Sequence, residues 1–140
     1  MTDDSSMHHH MNMDMNMGMS PIPGANGDKR VNLRLDPEMK AHQLSVMRSH
    51  LQAIQAIIRL MGANDYAGAA QVAQDRLGLS PQMKRMCMMF TQDYSTIGLA
   101  FHHSAENLAA TLKKGRAPQA LQALGTTMHY CVQCHETFHY

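Results

Sequence analysis

The sequence predicts an all-α protein, an antiparallel four-helix bundle preceded by a disordered N-terminal tail. Three observations carry this expectation. Apolar residues in separate stretches recur at alternating steps of three and four, the period of a helix that buries one face. Cap and stop residues bracket those stretches. Residues 1–35 carry neither pattern, so the chain of 140 residues divides into a tail, 1–35, and one helical domain, 36–140, long enough to bury a core.

The tail is rich in Met, Asn, Asp, Gly, Ser and Pro, with almost no branched aliphatics before Val31. Within it lie His8, His9 and His10, followed by Met11, Met13, Met15, Met17 and Met19 in strict alternation. Thioethers suit Cu(I) and imidazoles suit Cu(II), so these eight residues are copper-ligand candidates. A low-complexity segment or a truncated histidine tag is the plainer reading, and the sustained alternation argues against a tag.

The first helix begins at Asp36 as N-cap, Pro37 as its first residue and Glu38 at the positive end of the dipole. Leu44, Met47, Leu51, Ile54, Ile58 and Met61 form its expected seam, His42 and His50 flank it, and Gly62 is the expected stop. Asn64-Asp65 opens an alanine-rich second helix, with Tyr66, Ala69, Ala73 and Leu77 inward and Gly78 at its end. Ser80-Pro81 opens a further segment holding Met83, Met86, Cys87, Met88, Met89 and Phe90. Adaptable core packing is the expectation for this cluster, ahead of a Cu(I) site anchored on Cys87. One helix from Pro81 to Lys114 would far outrun its neighbours, so a break is expected near Asp93–Ser95. The third main helix carries Tyr94, Ile97, Phe101, Ala105, Leu108 and Leu112 inward, and His102 and His103 are expected at its solvated flank. Lys113, Lys114 and Gly115 close it, and Ala117-Pro118 starts the last helix.

That last helix carries the most specific signal in the chain, Cys131-Val132-Gln133-Cys134-His135. Cys-x-x-Cys-His is the attachment pattern of a c-type haem: each thiol adds across one vinyl group, and the histidine that follows is the axial iron ligand. Leu121, Leu124, Met128, Cys131, His135 and Phe138 share a helical seam, which turns Cys131 and His135 toward the same core as the leucines. A zinc site from Cys131, Cys134, His135 and His139 ranks behind, because structural zinc sites usually draw ligands from two separated segments. A thiol–disulfide couple would want a βαβ context that the sequence lacks.

Four amphipathic helices with this motif near the end of the last resemble the cytochrome c′ and cytochrome c556 family over roughly residues 36–140. Cys131 to Phe138 is similar to the family's Cys-x-x-Cys-His-x-x-Tyr, with His139 where the family has Arg or Lys. The resemblance implies that a residue of the first helix faces the second axial position of the iron. Met47 is the candidate methionine ligand and Leu44 the candidate apolar blocker.

The expected function is that of an exported c-type cytochrome with haem c as cofactor, a redox protein as partner and electron transfer as its role, not an enzyme. Small-gas binding replaces electron transfer if the distal position is open. The rival is a haem-free copper-binding or copper-storage bundle using the tail, the Met83–Met89 cluster and the three cysteines. A periplasmic location follows from covalent haem chemistry, although Met1 to Ser20 shows no apolar signal core. A second copy of the chain stays open as a partner. With 16% charged residues and a net charge of +1, no nucleic-acid partner is expected. No apolar run of about 18 residues exists, so no membrane span is expected either.

Overall fold

A computed structural model describes residues 27–140. The described chain is mainly helical: α1 (Pro37–Gly62), α2 (Tyr66–Val72) continued by a π-helical turn at Ala73–Leu77, α3 (Pro81–Cys87), α4 (Gln92–Leu112) and α5 (Ala117–Thr137). Two short strands, β1 (Val31–Asn32) and β2 (Phe138–His139), flank the helices. No described helix is long and apolar enough to cross a membrane.

Local chemistry sets the helix ends. Asp36 Oδ1 accepts the Met39 N–H at 2.9 Å, and Ser80 Oγ accepts the Met83 N–H at 3.0 Å, each satisfying an amide that the first turn leaves unpaired. Gly62, the expected stop of α1, is its last helical residue instead, and the chain turns at Asn64, with φ 59°. Asn tolerates that left-handed backbone because its short polar side chain can bond locally. Asp65 then caps α2 by accepting the Gly68 N–H at 2.8 Å. The widened turn after α2 ends at Gly78, where a Cβ would fall 2.4 Å from the Gln74 carbonyl oxygen. Gly115, with φ 65°, closes α4 as expected.

The break between α3 and α4 falls at Met88–Thr91, a few residues before the expected Asp93–Ser95. Ser95 already sits in the first turn of α4, and its hydroxyl donates to the Cys87 carbonyl at the end of α3, tying the two helices across the bend.

α4 packs along α5, α1 along α2, and α2 with its π turn against α4. Eight of the fifteen core residues are alanine, so these helices approach closely and the buried face is built from small side chains. This shifts two expected seams. In α1 the buried residues are Gln43, Ala53, Ile54 and Ile57, while Leu51 is 70% exposed and Ile58 also faces out. In α5 they are Ala120, Ala123, Leu124 and Thr127, and Leu121 and Met128 are exposed. The α2 expectation of Ala69, Ala73 and Leu77 inward agrees with the structure, as does Tyr94, Phe101, Ala105, Leu108 and Leu112 in α4.

β1 and β2 pair in parallel, Val31 with Phe138 and Asn32 with His139, and the Leu33 N–H donates to the His139 carbonyl at 2.9 Å. The segment before Asp36 is therefore part of the folded body from Val31 on, and the expected boundary at residue 35 moves toward the N-terminus. Composition hid this, because two backbone-paired residues need no apolar pattern.

Candidate functional site

The solid core lies among Ala53–Ile57 of α1, Phe101–Leu112 of α4 and Ala120–Leu124 of α5. Toward the C-terminal end of α5 the helices part and wall a cavity of about 400 Å³. α1 contributes Leu44, Met47, His50 and Ile54; α3 and its following turn contribute Met83, Met86, Cys87 and Phe90. α4 contributes Ile97, Gly98, Phe101 and His102, and α5 contributes Met128, Cys131, Cys134 and His135. Gly98 leaves the α4 wall low; a Cβ there would touch Cys87 Sγ at 3.5 Å.

The three motif residues meet on the α5 wall. Cys131 and Cys134 are free, half-buried thiols. Burial pushes both up, Cys134 to about 11 with the Cys131 sulfur adding to the effect, so both are protonated at neutral pH. His135 is exposed at the rim rather than turned into the core, because the buried line of α5 runs through Thr127, Cys131 and Cys134.

The end of α5 is fastened beneath these residues. Arg30 Nη1 donates to the His135 carbonyl at 3.2 Å, and Arg30 pairs with Asp28 at 2.6 Å. That guanidinium holds the Asp28 carboxyl well below the usual carboxylate range. Phe138 is buried edge-on to Tyr94, with ring centroids 5.5 Å apart, and the Tyr94 and Tyr140 hydroxyls lie 3.2 Å apart. Burial pushes the Tyr94 phenol up, out of reach of physiological pH.

Across the cavity, Met47 is half-buried and Leu44, expected in the inward seam of α1, is 41% exposed; both line the space. His50 was the missed residue. Expected at the flank of α1, it lies against Phe101 and His102, with ring centroids at 5.0 and 5.7 Å. Its Nε2 is buried with no hydrogen-bond partner. Burial, with smaller contributions from His102 and Arg76, lowers the imidazole to about 4, so it is neutral at pH 7. His102, expected at a solvated flank, is 3% exposed, and its Nδ1 donates to the Leu77 carbonyl at 2.7 Å. The carbonyl it satisfies lies at the end of the π turn, which periodicity does not reveal. His103 is exposed beside Glu106, as expected.

The Met/Cys cluster is not uniform core packing. Cys87 is buried, Met83 and Met86 are half-buried at the cavity, and Met88 and Met89 are exposed. His42 Nε2 donates to the Met86 thioether at 3.1 Å. Cys87 thus lines the same cavity as Cys131 and Cys134, which the sequence could not show.

No protein-family model, curated protein or solved structure matches the chain. Among the described residues, no three His, Cys, Asp or Glu side chains converge as a metal-ion group, which leaves the zinc reading without a donor set. The tail candidates His8, His9, His10, Met11, Met13, Met15, Met17 and Met19 lie outside the described residues.

Proposed function

We propose that this chain is a c-type cytochrome: a four-helix bundle, with α3 as an extra turn across its open end, that holds one haem through Cys131 and Cys134 and serves electron transfer. His135 would be the residue of the motif that holds the iron. The observation that carries this reading is the placement of both thiols and the adjoining imidazole along one wall of an apolar cavity. Apolar side chains such as Ile54, Ile97 and Phe101 suit the faces of a flat macrocycle and keep water from it. Leu44, Met128 and His135, exposed at the rim, are surface that a bound macrocycle would cover. The haem, when bound, supplies one-electron iron chemistry. The chain's own residues would hold it through Cys131, Cys134 and His135 and exclude water from it. The fastening of the α5 end by β1 and Arg30 limits movement of His135. An exported location and a redox-protein partner follow from this reading, and neither catalysis nor nucleic-acid binding is part of it.

Denaturing mass measurement tests the proposal. Expressed with a haem-attachment system, the chain should exceed its polypeptide mass by one haem, and Cys131→Ala should retain at most one thioether. A bare-chain mass overturns it.

A second reading has its own observation. Three thiols, Cys87, Cys131 and Cys134, and four thioethers, Met47, Met83, Met86 and Met128, line the same cavity. Thiols and thioethers are donor types suited to Cu(I); here they are spread around the cavity wall rather than converged, and they are the basis of a haem-free copper-binding or storage reading. The bare-chain mass that overturns haem attachment, together with Cu(I) bound by residues 27–140 alone, would establish this alternative.

A further inference from the structure

We infer that His42 and Met86 form a Cu(I) site that bridges α1 and α3. The inference stands on this pair of side chains and rests on neither haem attachment nor the cavity thiols.

His42 Nε2 and Met86 Sδ lie 3.1 Å apart, across 44 positions of sequence. His42 is exposed on α1, and Met86 is half-buried on α3. As a hydrogen bond this contact is weak, because a thioether is a poor acceptor and an exposed imidazole has water to bond instead. As a ligand pair it is well matched. Thioether sulfur is a soft donor of the kind that selects Cu(I), and imidazole nitrogen also suits copper. On an ion with bonds of about 2.0 Å to nitrogen and about 2.3 Å to sulfur, as at zinc, the two donors stand about 3.5 Å apart. His42 and Met86 are already near the spacing that one shared ion requires, and need part only slightly to admit it. The flexible methionine side chain makes that movement easy. A neutral imidazole can carry its proton on Nδ1, which leaves the Nε2 lone pair for the metal and releases no proton on binding. The pair includes no carboxylate, and Lys84 and Arg85 precede Met86 directly in sequence, so a doubly charged, oxygen-seeking ion gains little here. Met83, three residues before Met86, shares its face of α3 and is the nearest candidate for a third donor. His42 is not part of the cavity lining, which sets this pair apart from Cys131 and Cys134.

The test titrates the full chain, its methionine methyls labelled with carbon-13, with Cu(I) supplied as the acetonitrile complex in the absence of oxygen. Methyl and histidine-ring nuclear magnetic resonance signals are followed. The Met86 methyl and the His42 ring should shift together at the same copper equivalents, while the exposed Met88 methyl stays in place. His42→Phe should abolish the Met86 shift, and Met86→Leu should abolish the His42 shift, each with helical circular dichroism like wild type. His42→Met, which puts a soft donor back, should keep the Met86 shift. An unmoved Met86 or His42 overturns the inference, as does a Met86 shift that survives in His42→Phe. A Met88 shift as large as that of Met86 also overturns it, since any exposed thioether would then serve. Movement of Met47 and Met128 with His42 unmoved places copper in the cavity instead, which defeats the inference and leaves the copper-binding alternative standing.

Discussion

A proton on His50 is costly in the haem-free fold. Its imidazole is lowered from 6.5 to about 4, so the unfolded chain binds that proton at a higher pH than the folded one. Stability from this group is therefore full above pH 6.5 and declines as the pH falls toward 4. His102, lowered by its own burial, pulls in the same direction. Urea midpoints of the haem-free chain should drop across that window, and His50→Leu should flatten the decline. Gly98 matters by its missing side chain. Gly98→Phe should fill the cavity and cut haem incorporation by more than half in the denaturing mass spectrum, while helical circular dichroism stays near wild type. At this scale the sequence exposes Cys131, Cys134 and His135, because the Cys-x-x-Cys-His pattern is a fixed spacing within one stretch of chain. It names Cys87 only as an alternative Cu(I) anchor and does not expose the burial of His50 and His102 or the place of Gly98, which come from neighbours on other helices.

The helix starts were legible because caps are local: Asp36, Asp65 and Ser80 each accept an amide three residues on. Asp36→Ala should cost about 1 kcal/mol in denaturant unfolding. The inward faces of α1 and α5 were harder to read. Periodicity weighted toward large side chains favours Leu51 and Leu121, while the close-packed faces belong to Ala53, Ala120 and Ala123. The mistake has a measurable sign. Leu121→Ala, at an exposed site, should change stability by no more than about 0.5 kcal/mol. Ala109→Leu, in the buried face of α4, should cost about 1–3 kcal/mol through overpacking. Leu121→Ala costing several times its predicted value would restore the larger-residue seam.

For the molecule as a whole, composition separated a His- and Met-rich N-terminal segment from a helical body. Under the proposed function that segment is the candidate copper link. Deleting residues 1–20 should remove the weaker copper sites seen by equilibrium dialysis and leave helical content unchanged. Unaltered copper stoichiometry would exclude the N-terminal segment as the binding one. The helical class was visible from repeated periods, whereas the cavity was not, since an opening between helices is a property of their spacing.

The joining of β1 to β2 sets an order of events. Arg30 and His135 are 105 positions apart, so bringing them together closes nearly the whole chain into a loop. Such closure is repaid only after local contacts have formed, which makes the α4–α5 hairpin an early structure and this latch a late one. Until it forms, the strand after α5 lacks its β1 partner, while both thiols already stand on a formed helix. The same late step comes undone first. Amides at Leu33 and His139 should exchange with deuterium well before those of Leu108 and Leu124, and Arg30→Ala should widen the difference. The two chain ends are thus joined last, on a helical scaffold already built.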